Sequence, residues 1–337
     1  MSTELTMEKI TSLCKRRGFI FPGSELYGGI AGMWDYGPLG VELRNNIRDL
    51  WWRNFVHEKD NIYGLDAAIL MRKEVWEATG HTKAFNDPVV EDSVTGERFR
   101  ADHLLEKEGV ENADGLSPEE ITEYIKKNDL KSPNGNTLSE AKSFNLMFQT
   151  SIGATGGEES VSYLRPETAQ GIFVNYKNII DTFYPSLPFG IAQVGKAFRN
   201  EISPRDFIFR LRELEQMEVE YFINEKDWEE SFDFWRDEVK DFYKKVGLPM
   251  DKIYEHEIPA EGRAHYSKRT IDFEFYYPFG RKELSGLAYR TDYDLKKHQE
   301  YSGNVLEYVD KHTGEKTVPH VIEPSFGVER LVLAVLL

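Results

Sequence analysis

Residues 195–222 read GKAFRNEISPRDFIFRLRELEQMEVEYF. This stretch has the outline of two buried strands around a turn, yet it carries Arg199, Glu201, Arg205, Arg210, Arg212, Glu213, Glu215, Glu218 and Glu220. Burying that much charge is costly unless the charges meet each other or a ligand. Alternation assigns the faces. On the second arm Met217, Val219, Tyr221 and Ile223 share the face expected to enter the core, which leaves Leu214, Gln216 and Glu218 on the other. Arg199 and Glu201, two positions apart, are expected to share a face of the first arm, with Ser203-Pro204-Arg205-Asp206 as the turn. A hairpin that offers both arginines and carboxylates suits a triphosphate together with a cationic substrate. The plainer alternative is a solvated, salt-bridged hairpin of an antiparallel sheet.

Composition narrows the rest. The chain has 337 residues, 40% hydrophobic and 30% charged, enough for a sizeable core. A formal net charge of −16 argues against a protein that coats nucleic acid, although Lys15-Arg16-Arg17 allows local basic surface. The single cysteine, Cys14, excludes an internal disulfide framework and a cysteine-rich zinc site, and fits a reducing compartment. The histidines show no ligand spacing, so no zinc is expected. The N-terminus has no signal-like apolar run, and the longest such run, residues 331–337 (LVLAVLL), is too short to cross a bilayer. The chain therefore reads as cytoplasmic, with no membrane partner. Because that last run breaks off without a cap, it also reads as truncated.

Residues 5–18 are expected to form an amphipathic helix ending at Gly18, followed by a glycine-dense loop. Pro38 opens a long helix to about Val56, since Leu39, Leu43, Ile47, Leu50, Trp51 and Phe55 recur every three or four residues. Trp51-Trp52 serves either the core or a subunit interface. Residues 101–143, charged and poor in aromatics, read as a small helical insertion, with a capping box at Ser117-Pro118-Glu119-Glu120. A polar helix is expected over 227–245, and strands over 270–277 and 282–289.

Three further segments carry candidate chemistry. RPETAQG (165–171) puts Arg165 and Glu167 at the mouth of a helix, ELSG (283–286) puts a carboxylate on a late strand, and EPSFGVER (323–330) runs from an acidic strand end into a helix. Taken singly, each is weak. With WDYGPLGVELRNN (34–46) and FRNEISPR…FRLRELEQME (198–218), in this order, the chain resembles the class II aminoacyl-tRNA synthetases, specifically the homodimeric glycyl-tRNA synthetases, over essentially its whole length. The resemblance implies an α+β fold: a central antiparallel β-sheet flanked by helices, with the small helical insertion. It makes 1–337 one catalytic domain, with the family's C-terminal anticodon-binding domain absent. It also implies ATP, glycine and the acceptor end of tRNA(Gly) as partners, Mg²⁺ with the ATP, and a homodimer through the Pro38 helix.

The resemblance also assigns roles that physical chemistry supports. Arg199 would hold the α-phosphate, with Arg199 and Arg330 as the catalytic pair, and Arg210 and Arg330 would clamp the outer phosphates bidentately. Glu201 would face adenine, and Glu283 and Glu329 would hold Mg²⁺. Asn200, Phe209, Arg212, Glu213, Leu284 and Gly327 complete the implied nucleotide contacts. Glycine has no side chain to grip, and one extra methyl is worth only about 1–3 kcal/mol in an accepting pocket. Glu167, Glu218 and Glu323 would therefore surround its ammonium group, with Gln216, Ser325 and Arg100 completing its contacts. Such an anionic wall leaves an alanine methyl desolvated without compensation. The alternatives are another class II amino-acid-activating enzyme, or a non-catalytic paralogue that binds nucleic acid.

One departure from the family pattern generates a prediction. Four residues after Arg210 the family usually places phenylalanine, on which adenine stacks; here it is Leu214. Leu214→Phe should lower the KM for ATP, by up to about tenfold for stacking worth on the order of 1 kcal/mol. An unchanged or higher KM in steady-state kinetics would overturn this reading of the position.

Overall fold

Met217, Val219, Tyr221 and Ile223 enter one core together, as their alternation expects. The computed structural model, which describes residues 5–110, 113–154, 157 and 160–337, places them on a central strand of a seven-stranded sheet. In chain order its strands are β1 (Ile62–Leu65), β2 (Phe189–Phe198), β3 (Glu213–Ile223), β4 (Ile253–Glu257), β5 (Arg269–Tyr277), β6 (Gly280–Thr291) and β7 (His320–Gly327). In space they run β4-β5-β6-β7-β3-β2-β1. Only the β1–β2 pairing is parallel. The helices that matter for the site are α1 (Pro38–Trp52), α2 (Trp228–Val246), α3 (Tyr293–Ser302) and α4 (Val328–Leu336). The class is α+β, a mostly antiparallel sheet flanked by helices.

The odd-numbered face of β3 packs with residues of α1, α2 and α4. Trp51, Phe55, Trp235, Phe242 and Phe326 interlock there, with ring centroids 5.3–6.3 Å apart. Trp51 is thus wholly inside the chain, and its neighbour Trp52 lies over Gly64, where a Cβ would collide with the indole. Trp51 is core packing, whereas Trp52 is half-buried. Glu215, on the same face, is neutralised by Arg48 (3.4 Å) and Arg44 (3.9 Å) from α1.

The connection from β2 to β3 differs from the expected tight hairpin. The strands end at Phe198 and Glu213. Residues 199–212 form a loop whose own turn is closed by Arg205 and Arg210, with Asp206 and Phe207 in the left-handed region (φ 58° and 61°). Arg199 and Glu201 therefore lie beyond the strand, not on one of its faces. The competing bonds explain this: Asn200 N–H donates to the Leu146 carbonyl (2.8 Å), and Arg212 reaches the carbonyls of Glu201 and Ala31 (3.1 and 2.9 Å). These draw the loop away from strand pairing.

The insertion begins before residue 101. Strands Asn86–Glu91, Arg98–Arg100 and Lys142–Asn145 form a small sheet, over which helices Ala101–Lys107 and Pro118–Asn128 close a separate cluster of Val90, Leu105, Ile121 and Leu138. The capping box at Ser117 and Glu120 is formed.

Candidate active site

Two cavities open side by side on the even-numbered face of β3. Arg199, Gln216, Glu283 and Ser325 line both. This adjacency follows from strand register: Glu218 stands opposite Ser325 and Gln216 opposite Gly327 on β7, while Gly286 of β6 stands opposite Ser325.

The first cavity is rimmed by arginine. Arg199, Arg210 and Arg330 line it with Glu201, Phe209, Leu214, Gly327 and Glu329. Each guanidinium is positioned by a neighbour. Arg199 Nε donates to the Pro166 carbonyl (2.9 Å), and its guanidinium lies over the Phe85 ring. Arg330 lies over Phe209 and pairs with Glu283 (2.8 Å). Arg210 stands 3.7 Å from Glu201, and two enclosed atoms there, Arg210 Nη1 and Glu201 Oε2, lack a hydrogen-bond partner. Unsatisfied buried charge of this kind points to a ligand that completes it. Glu329 is pushed up to about 7 by burial, against the opposing hydrogen bond from Glu215 N–H (2.9 Å).

The second cavity is carboxylate-lined, with Glu167, Glu218 and Glu323 in its wall. Thr168, at the end of the Arg165–Thr168 segment, tethers the floor: its hydroxyl donates to Glu218 (2.6 Å) and its backbone N–H to Gln216 (3.1 Å). Glu167 accepts from Gln170 (3.1 Å) and lies 3.3 Å from His81 Nε2. Burial opposes its charge, but His81, Arg290 and Gln170 outweigh this and hold the carboxyl well below its usual range. Behind the wall Arg290, 1% exposed, bonds Glu323 (2.9 Å) and both oxygens of Asp294, between the rings of Tyr266 and Phe173. Glu323 is nonetheless raised well above the usual range, first by burial and then by Glu218, which outweigh Arg290.

Five sequence-assigned residues do not line these cavities. Glu213 shares the odd face with Glu215 and pairs with Lys196 (3.1 Å). Leu284 is fully buried in the main core, because the β5–β6 register slips between Phe273 and Glu274 and leaves it as the extra residue of a bulge. Asn200 and Arg212 line a separate groove facing the insertion, beside Phe99 and Phe144. Arg100 is held by Asp87 (2.8 Å) and Asp102. Conversely, the supporting residues Thr168, Gln170, Glu220, Arg290 and Asp294 were not among the sequence candidates. Glu220 carried the one available signal, being the next residue along the face of Glu218.

The description "tRNA synthetase class II core domain (G, H, P, S and T)" matches residues 154–337. The chain is 49% identical to a glycine–tRNA ligase of Clostridium tetani, over 100% of this chain and 74% of that protein. It is 50% identical to those of Clostridium perfringens (100% and 74%) and Geobacillus kaustophilus (98% and 73%). Among solved structures, Giardia lamblia prolyl-tRNA synthetase in complex with prolyl-adenylate superposes with a TM-score of 0.65 at 13% identity, covering 98% of this chain and 53% of that one. The Cryptosporidium parvum prolyl-tRNA synthetase gives 0.63 at 11%, with 97% and 50% covered. At these identities the structural likeness is one of fold.

The buried guanidinium sets the stability of the carboxylate wall. Arg290→Met should destabilise the protein by about 3–5 kcal/mol, because it strands Asp294 and Glu323 without their cation. Urea unfolding at neutral pH measures this; a loss below about 1 kcal/mol would mean that the wall does not depend on Arg290.

Proposed function

This chain belongs to the glycine–tRNA ligase family, on the class II core, and from that premise we propose that it condenses glycine with ATP to glycyl-adenylate and passes the glycyl group to the 3′ end of tRNA(Gly). The observation that carries this reading is the adjacency of an arginine-rimmed cavity and a carboxylate-walled one, with Arg199 and Gln216 common to both. ATP occupies the first, and the ammonium group of glycine meets Glu167, Glu218 and Glu323 in the second. The glycine carboxylate then faces the α-phosphate near Arg199.

One glycine carboxylate oxygen attacks the α-phosphorus, the bond to the bridging oxygen breaks, and pyrophosphate leaves. The nucleophile is already an anion, so no general base is required. Catalysis rests on holding the reactants in line and on charge stabilisation. Arg199, anchored on the Pro166 carbonyl, receives the α-phosphate. Arg210 and Arg330 hold the outer phosphates, for which Arg330 exchanges Glu283 for phosphate oxygens. Leu214, on the same cavity, covers the adenine where phenylalanine would stack.

Glu283 and Glu329 offer hard oxygen donors on the cavity that takes the phosphates, a donor set that fits Mg²⁺. Bound there, the ion neutralises phosphate charge. Leu284, Glu213, Asn200 and Arg212 act through packing and loop position and not through ATP contact, and Arg100 orders the insertion side of the site.

Residues 1–337 form one catalytic domain bearing the insertion. A second copy of the chain pairs through the α1 region, where Leu26, Tyr27, Ile30 and Leu39 are exposed, 50–89% each. Among the described residues no helix is long and apolar enough to cross a membrane, and with its single cysteine this supports a cytoplasmic enzyme.

ATP–pyrophosphate exchange with glycine, alanine and serine separately tests the reading. Exchange is expected with glycine alone and should fall at least about 100-fold in Arg199→Ala, the scale for losing one transition-state charge donor. Exchange with serine alone would assign another class II enzyme, and exchange with none would assign a non-catalytic relative.

A further inference from the structure

Glu220 lines neither cavity, yet both of its carboxyl oxygens are buried. It lies on the face of Glu218, two residues further along β3, and is fully buried. Both of its oxygens lack a hydrogen-bond partner. Oxygens of Glu218, Glu220 and Glu323 lie within 4.8 Å of one another. A carboxylate so placed costs several kcal/mol unless a cation or a proton compensates it.

The surrounding charges do not supply that compensation. From β6, Arg290 is spent on Asp294 of α3 and on Glu323 of β7. From the 165–168 segment, Glu167 is matched by His81. In the same segment Arg165 gives its hydrogen bonds to the carbonyls of Lys196 and Ala67 (2.6 and 2.8 Å) and acts on Glu218 through its charge alone. His298 of α3 is bonded to Gln170 (2.8 Å), and the Tyr266 ring covers Arg290. Glu218 accepts from the Thr168 hydroxyl and hydrogen-bonds Glu323, and among the described residues Glu220 has no hydrogen-bond partner. Of the three carboxyl groups only Glu323 is bonded to a guanidinium, and Asp294 claims the same one. Three like charges this close cannot all ionise, so the set retains a proton.

We propose that Glu220 is a specificity-determining third carboxyl behind the ammonium site, and that glycine enters by exchanging its ammonium group for a proton held by Glu218, Glu220 and Glu323. This rests on the reading of the second cavity as the glycine site. The balance is simple: the ammonium group of zwitterionic glycine enters the wall, one proton leaves it to bulk water, and the charge within the wall is unchanged, while the glycine carboxylate lies outside it towards Arg199. The direction of the Glu220 carboxyl agrees, since burial first and then Glu323 push it well above the usual range. The exchange also sharpens discrimination. A neutral ligand without an ammonium group would have to leave the proton in place and gains nothing from the wall.

Proton and ammonium compete for the same negative charge, so glycine affinity should rise with pH until the proton is lost. The test is the KM for glycine in ATP–pyrophosphate exchange between about pH 6 and 8, where the glycine amino group stays protonated, with the KM for ATP measured alongside. The wild-type glycine KM should fall by up to about tenfold per pH unit, the slope for one proton, while the ATP KM and kcat move little. Glu220→Gln, neutral at every pH, should flatten that slope and raise the glycine KM at pH 8 at least about tenfold. Glu220→Asp, which keeps an ionisable group, should restore the slope. A pH-independent glycine KM in the wild type overturns the proposal even if neither variant folds, and so does a wild-type slope in Glu220→Gln. Absence of glycine-dependent exchange at every pH would instead refute the assignment of the cavity to glycine.

Discussion

Buried negative charge governs this molecule. Glu167, Glu218, Glu220, Asp294 and Glu323 come from four separate segments to one enclosed region, where Arg290 is the fully buried cation bonded to Asp294 and Glu323. Such a concentration is tolerable only if every neighbouring element is held in register, because a shift of any one carboxyl leaves another without its partner. The segments are fixed accordingly. Thr168 tethers Glu218, Gln170 links Glu167 to Asp294, and Arg290 ties Asp294 to Glu323. The sheet supplies the frame, with β3, β7 and β6 adjacent in that order. A cationic substrate is the natural complement to what remains.

The arginine rim solves the opposite problem a few ångströms away. Arg199, Arg210 and Arg330 are kept apart and aimed by a carbonyl, by Glu201 and by Glu283 and Phe209 respectively. Glu201 and Glu283 are partners that phosphate oxygens can replace. Since Gln216 and Ser325 lie on both cavities, the relative positions of the two cavities are set by a single pair of strands, β3 and β7. Positioning of that kind is what an in-line displacement requires.

Much of this was legible in the sequence wherever a periodicity governed the outcome. The period of two along 213–223 placed Glu218 and Gln216 on the cavity side and Met217 and Val219 in the core. The helical period from Pro38 gave α1, and the capping box at Ser117 formed. Legibility failed where a non-local bond overrode the period. Arg199 and Glu201 left the strand because Asn200 and Arg212 found carbonyls at Leu146, Ala31 and Glu201. Leu284 turned into the core because a bulge in β6 shifted its register. The buried partners Arg290 and Asp294 gave no local signal at all, since an Arg and an Asp four residues apart read as ordinary surface charge. Trp51 went to the core because Phe55 and Phe326 were waiting for it, which no local pattern announces.

The account stands on the claim that the carboxylate wall holds an ammonium group while the arginine rim holds the nucleotide. A crystal structure with a non-hydrolysable sulfamoyl analogue of glycyl-adenylate measures this directly. The account predicts the glycyl nitrogen within hydrogen-bonding distance of oxygens from Glu167, Glu218 and Glu323, with the sulfamoyl group against Arg199. A glycyl nitrogen directed to solvent or to the insertion, with those three carboxyl groups uncontacted, would contradict it.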